Sequence, residues 1–236
     1  VAQSYHDETK KVYSTPDDAL KYTIDGVKIK NGKKTYMWVY RNSPAHSSKP
    51  IILYDWQPSR RADHPREFLK AFSGIAITDG YQVYHKLSKE RPDLLIGGCW
   101  IHARRPFADF IKSIKGSADG TIAHKAYSLI TEMLHINNGF DDLPSDDRLK
   151  QRQLILTEKV DAYFEWVKLK YNQVTRNSTI GKALAYSIHQ EPYLQTFLTD
   201  GDVPMDNNYA EQAIRPFTIG RKNFVLIESS NGARAS

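Results

Sequence analysis

The stretch Asp206-Asn207-Asn208-Tyr209-Ala210-Glu211-Gln212-Ala213-Ile214-Arg215-Pro216, followed by Ile219-Gly220-Arg221-Lys222-Asn223-Phe224, organises the reading of this chain. Asp206, Asn207 and Asn208 are residues that start helices, because their side chains accept hydrogen bonds from the unpaired N–H groups of a first turn. Tyr209 to Arg215 reads as a short helix that Pro216 ends, since the residue before a proline is driven out of the α region. Asn207, Glu211 and Arg215 recur at i, i+4 and i+8 and so share one face. Ala210 and Ile214 fall on a different stripe, suited to a core. A carboxamide, a carboxylate and a guanidinium on one side of a helix suit a site for metal and phosphate. Taken alone, the same residues also describe a capped surface helix with a Glu–Arg pair.

At 236 residues the chain is long enough to bury a sizeable core in one or two domains. The formal charge of +6 favours a polyanionic partner. No apolar run approaches the roughly 18 residues that a membrane span requires, so no membrane partner is expected. The single cysteine, Cys99, excludes an internal disulfide and suits a reducing cytoplasm. No signal peptide is visible, the first residue is Val, and the chain stops in Asn231-Gly232-Ala233-Arg234-Ala235-Ser236 without a closing element. It is therefore expected to be a piece of a longer protein.

Working outward from the opening stretch, a short strand is expected near Val1–Tyr5, leading to Asp7. Asp25-Gly26 and Asn31-Gly32 are turn signals within a polar stretch. Tyr36–Tyr40 and Ile51–Trp56 read as strands rich in aromatic and β-branched residues. His64–Phe72 has the spacing of a short helix, with proline in its first turn. Ile75–Thr78 is a buried strand ending on Asp79-Gly80. Tyr81–Leu87 is a helix and Leu94–Trp100 a further strand, whose Gly97 and Gly98 imply close approach of another backbone. The order βββαβαβ implies a mixed sheet with flanking helices. From Arg104 to about Asp200 the apolar period becomes helical, along Phe107, Phe110, Ile111 and Ile114, then Ile122, Ala126, Leu129, Ile130 and Met133. Leu149, Leu156, Val160, Tyr163, Phe164 and Val167 follow, and then Ile180, Leu184 and Ile188. Gly116, Gly139 and Gly201 stand where helix C-caps would fall.

These motifs together resemble the insertion sequence 66 family of bacterial DDE transposases. The resemblance is carried by Asp7-Glu8-Thr9, Tyr36–Arg41, Thr78-Asp79-Gly80-Tyr81 with Tyr84, Gly98-Cys99-Trp100-Ile101-His102-Ala103-Arg104-Arg105, and the opening stretch. One departure is the pair Lys10 and Lys11, where the family often has proline or another uncharged residue. The resemblance implies an α/β fold, a ribonuclease-H-like mixed sheet with flanking helices, interrupted by a mostly helical insertion. Residues 1–104 would form the first part of the catalytic core, 105–200 the insertion, and 201–236 the second part with the Glu-bearing helix. Asp7, Asp79 and Glu211 would be the catalytic, metal-binding carboxylates. The family's N-terminal DNA-recognition region and final C-terminal helices are not expected within this chain. Its setting would be the bacterial cytoplasm, associated with the nucleoid.

Phosphodiester cleavage needs an activated oxygen nucleophile, stabilised charge at phosphorus and help for the leaving oxygen. Two Mg²⁺ ions about 3.5–4 Å apart supply all three, and Mn²⁺ can substitute. Mg²⁺ prefers hard carboxylate and water oxygens. Double-stranded DNA, as transposon ends and target, is the expected partner, and a homo-oligomer on DNA the expected assembly. Arg215, Arg221, Lys222, Arg104 and Arg105 are the candidate phosphate contacts. Asp55 is the rival for the first carboxylate. Asp206 reads as a helix cap, while Cys99 with His102, His85 and His64 read as structural. Two other functions are compatible: a ribonuclease-H-like nuclease or junction resolvase without strand transfer, and a DNA-binding or assembly fragment that does not catalyse.

Overall fold

A computed structural model describes residues 2–5, 36–43, 51–57 and 59–223. Asp7, Lys10, Lys11 and both turn signals before the second strand lie outside them. The chain divides into two compact units, Val1–Phe72 with Asn208–Ser236, and Ser73–Asn207.

In the first unit, β1 (Ala2–Tyr5), β2 (Tyr36–Arg41) and β3 (Ile52–Gln57) form an antiparallel meander in the order β1-β2-β3. Trp38 lies opposite Asp55 and Val39 opposite Tyr54. Helix α1 (Asp63–Phe68) follows, and the Phe68 ring stacks on Tyr40 with centroids 3.6 Å apart. The final helix, α7 (Asn208–Asn223), packs on β2. Ala213 and Ile214 join Val39 in a buried cluster against Ile52, and Ala210 is fully buried, as their stripe predicts. The expectation that Pro216 ends this helix is corrected. The helix continues through it to Asn223, just as Pro106 and Pro192 sit inside other helices. Burial of one helix face outweighs the single lost N–H and the steric penalty of the ring.

In the second unit, β4 (Gly74–Ile77) and β5 (Leu94–Gly97) pair in parallel, with α2 (Gln82–Glu90) between them in sequence. Among the described residues, the antiparallel and parallel pairings expected of one mixed sheet thus occur as two sheets. Four helices follow: α3 (Trp100–Ser113), α4 (Ile122–Asn138), α5 (Ser145–Tyr171) and α6 (Thr179–Leu194). Thr121 and Ser178 cap α4 and α6 by accepting the N–H of His124 and Gly181. The fifth strand stops at Gly97, and Trp100 begins α3 rather than ending the strand. Trp100 is fully buried among Tyr163, Phe164 and Phe197, and its indole N–H donates to the Leu194 carbonyl at 2.9 Å.

The close approach of another backbone expected at Gly97 and Gly98 occurs at Gly98, whereas Gly97 faces side chains, Ile77 first. The Gly98 N–H donates to the Tyr193 carbonyl at 2.8 Å, and a Cβ on Gly98 would lie 3.2 Å from the Leu194 nitrogen. Of the expected C-cap glycines, Gly139 caps α4 as expected, without a left-handed turn, whereas Gly201 serves otherwise. Gly139 follows α4 in right-handed geometry at φ −66°, and Gly201 packs so tightly on Ser145 that a Cβ would meet its carbonyl.

A buried guanidinium ties the end of this unit together. Arg152 of α5 donates through Nε to Asn137 Oδ1 at 2.8 Å and through Nη1 towards the carbonyls of Phe197, Asp200, Gly201 and Val203. Burial lowers its pKa to about 10, with nearby Arg148 acting the same way, so it remains charged at neutral pH. No helix among the described residues is long and apolar enough to cross a membrane.

Candidate functional site

The apolar body of β4 anchors Asp79: Ala76, Ile77 and Thr78 are buried, and Asp79 follows half-exposed. Its Oδ1 accepts the Tyr81 N–H at 3.1 Å, closing a local turn that the Gly80 N–H joins through Thr78 Oγ1 at 3.4 Å. Gly80 stands at φ +85°, which glycine adopts without the penalty that a Cβ imposes. Asp79 makes no ion pair among the described residues. On the other side of the turn, Tyr186 of α6 donates its phenol to the Asp79 carbonyl at 3.1 Å.

Other polar side chains gather there. The His85 ring stacks on Tyr193 at 3.8 Å, and its Nε2 is buried without a hydrogen-bond partner among the described residues. Desolvation lowers the His85 pKa, Lys89 lowers it further, and Asp79 opposes both. Gln190 is 6% exposed, and its carboxamide approaches Gly80. Sequence reasoning missed Tyr186 and Gln190. The available signal was their i, i+4 spacing on a helix whose neighbouring stripe is apolar.

Glu211 belongs to the other unit and lies in the first turn of α7, half-buried, with Oε1 shielded from solvent. The helix is anchored beside it. Arg41 Nη1 donates to the Tyr209 carbonyl at 2.8 Å, and its guanidinium lies 4.9 Å from the Tyr209 ring centroid. Arg215 is exposed on the face of Glu211, and Arg221 and Lys222 fall in the last turn of α7. Asn207 precedes the helix almost completely buried, and neither atom of its carboxamide finds a partner among the described residues. The capping bond expected from Asn207 is therefore not made.

Asp55 sits mid-strand, and both its oxygens accept from Gln57 Nε2, at 3.1 and 3.0 Å. Arg104 donates to Thr131 at 3.1 Å and lies over the Tyr127 ring, so it links α3 to α4; Arg105 is exposed and reaches His102 at 3.3 Å. Cys99 is buried, its sulfur faces the N–H groups of Asn207, His102 and Ile101, and burial pushes the thiol up to about 12. His64 meets Ser59 at 2.8 Å. Among the described residues, no three His, Cys, Asp or Glu side chains gather closely enough to hold a metal ion. The Asp79 carboxylate is a hard-oxygen group of the type Mg²⁺ prefers.

Fold and site together define a mixed α/β protein that carries one acidic residue at a strand end and another on a helix packed against a meander. The chain belongs to the transposase IS66 family, whose profile matches residues 17–235. Asp7 precedes the matched residues. The chain is 31% identical over 211 residues to the uncharacterized protein y4qI of Sinorhizobium fredii, covering 85% of this chain and 38% of that protein. It is 27% identical over 198 residues to the uncharacterized protein y4hP of the same organism, covering 79% of this chain and 36% of that protein. The chain thus spans a little over a third of the length of these relatives. No solved structure matches it.

Proposed function

We propose that this chain is the catalytic region of a DDE transposase that cleaves DNA strands and transfers them to a target. The family match along residues 17–235 carries the reading, and the half-exposed Asp79 carboxylate just beyond β4, with no ion pair among the described residues, supports it. In this reading the core is ribonuclease-H-like, built from residues 1–104 and 201–236, and 105–200 is an insertion. Asp79 and Glu211, with Asp7, would hold two Mg²⁺ ions, and the ions would supply Lewis acidity at the phosphodiester. Arg215, Arg221, Lys222 and Arg105 would bind DNA phosphates, which hold the duplex in register without reading its sequence. Arg104, engaged with Thr131 and Tyr127, is the weakest of the proposed DNA contacts.

The test is a strand-transfer assay with a labelled, pre-cut transposon end, in Mg²⁺ or Mn²⁺. Joined product that is lost in Glu211→Gln and Asp79→Asn supports the proposal. Hydrolysis without joining favours the nuclease reading. DNA binding with neither product, in both metals, favours a fragment that assembles on DNA without catalysing.

A further inference from the structure

We propose that Tyr186 is a positioning residue for Asp79, through which the helical segment holds the carboxylate in the orientation set by its bond to the Tyr81 N–H. The inference rests on the reading of Asp79 as a metal-binding carboxylate.

Tyr186 and Asp79 are 107 residues apart in sequence, yet the phenol donates to the Asp79 carbonyl at 3.1 Å. The carboxylate of the same residue accepts the Tyr81 N–H at 3.1 Å. Residue 79 is therefore held at its carbonyl by one element and at its side chain by another. A rotation that re-aims the carboxylate breaks one of these bonds. The fit is tight: a Cβ on Gly80 would come 2.6 Å from the Tyr186 oxygen and 3.1 Å from the Gln190 carboxamide. Glycine is required here for its backbone conformation and also for the closeness of α6.

The brace is itself fixed. Tyr193, two turns further along α6, stacks on His85 and accepts the Gly98 N–H, and Thr196 beyond it donates to the Ile96 carbonyl at 2.9 Å. The helix that carries the phenol is thus pinned to α2, which follows Asp79, and to β5, the strand paired with the β4 that precedes it. Burial, reinforced by Cys99 and Asp79, raises the Tyr186 pKa against the opposing effect of Arg105, so the phenol remains a donor. Tyr163 supplies the contrast. Its phenol is buried and bonded to Ser187 at 2.9 Å, the residue next to Tyr186, and not to the turn.

Two readouts test the proposal on the 236-residue chain: hydrogen exchange at the Tyr81 amide, and Mn²⁺ binding followed by the electron paramagnetic resonance of free Mn²⁺. Tyr186→Phe is expected to speed Tyr81 exchange roughly 5–10-fold and to weaken Mn²⁺ binding about 10-fold. Gly80→Ala, which drives a methyl into the contact between the turn and Tyr186, should give the same pair of changes. Tyr163→Phe should lower the melting temperature and leave both readouts at the wild-type level. Wild-type behaviour of Tyr186→Phe overturns the proposal, as does an equal change in Tyr163→Phe, which would mean general loosening. Mn²⁺ binding unaffected by Asp79→Asn refutes the metal reading of Asp79, whereas the Tyr81 amide still reports whether the brace exists.

Discussion

Arg152→Leu removes a charge from the interior of the second unit, and its cost can be worked bond by bond. Nη1 carries two protons for its four carbonyl contacts, so the guanidinium makes about three full hydrogen bonds, one of them from Nε to Asn137. Two of the five acceptors retain other donors: Gly201 accepts from Arg148 at 3.0 Å and Asp200 from the Val203 N–H. Asn137 Oδ1 and the carbonyls of Phe197 and Val203 lose this donor. At about 1–3 kcal/mol for each buried acceptor that loses its partner, and with some water entering, the substitution should cost about 3–5 kcal/mol. That is a large share of the roughly 5–15 kcal/mol that stabilises a domain. Arg152→Lys keeps the charge but loses the planar fork, and should fall between the two. Urea unfolding curves of the three proteins measure this. A loss below about 1 kcal/mol for Arg152→Leu, or a lysine variant as stable as wild type, would refute the bond-by-bond account.

Lowering the pH should destabilise the chain through His85. Its folded pKa lies below the ordinary 6.5, so the unfolded state binds the proton first as the pH falls through 6.5, and stability declines below that point. His85→Phe, which keeps a ring against Tyr193, should make the decline shallower in melts between about pH 7 and 5; an unchanged slope would show that His85 titrates normally. Excision of residues 107–199 with a short linker should destroy cooperative unfolding of the second unit. The segment supplies the Tyr193, Leu194 and Thr196 partners of Gly98, Trp100 and Ile96, and its loss would leave those buried groups unpaired. A sharp unfolding transition of the 73–207 remainder would contradict this.

The sequence pattern alone would suggest that the segment is separable. The helices have their own apolar stripes, and independence is the natural inference from a stripe. Apolar periodicity does not show side-chain-to-backbone bonds such as Thr196 to Ile96 or Tyr186 to Asp79, and these join the helical segment to the strands. What was legible was local. Aromatic and β-branched residues placed β2 and β3, Ile75-Ala76-Ile77 placed the strand that leads to Asp79, and Ala210 with Ile214 identified the buried face of α7. Pro216 misled because its penalty of about 3 kcal/mol is a local quantity, whereas the helix is held by tertiary burial of Ala210, Ala213 and Ile214. Arg152 lies within the stripe of Leu149, Leu156 and Val160. A cation among apolar neighbours was the one available sign of the carbonyl cluster it serves.

The most direct test of the central claim is the position of Mn²⁺ in crystals of the chain, located by its anomalous scattering. The account predicts two ions, with Asp79 and Glu211 both among their ligands. Ions held only by other residues, or none at Asp79 and Glu211 at a Mn²⁺ concentration that supports strand transfer, would contradict it.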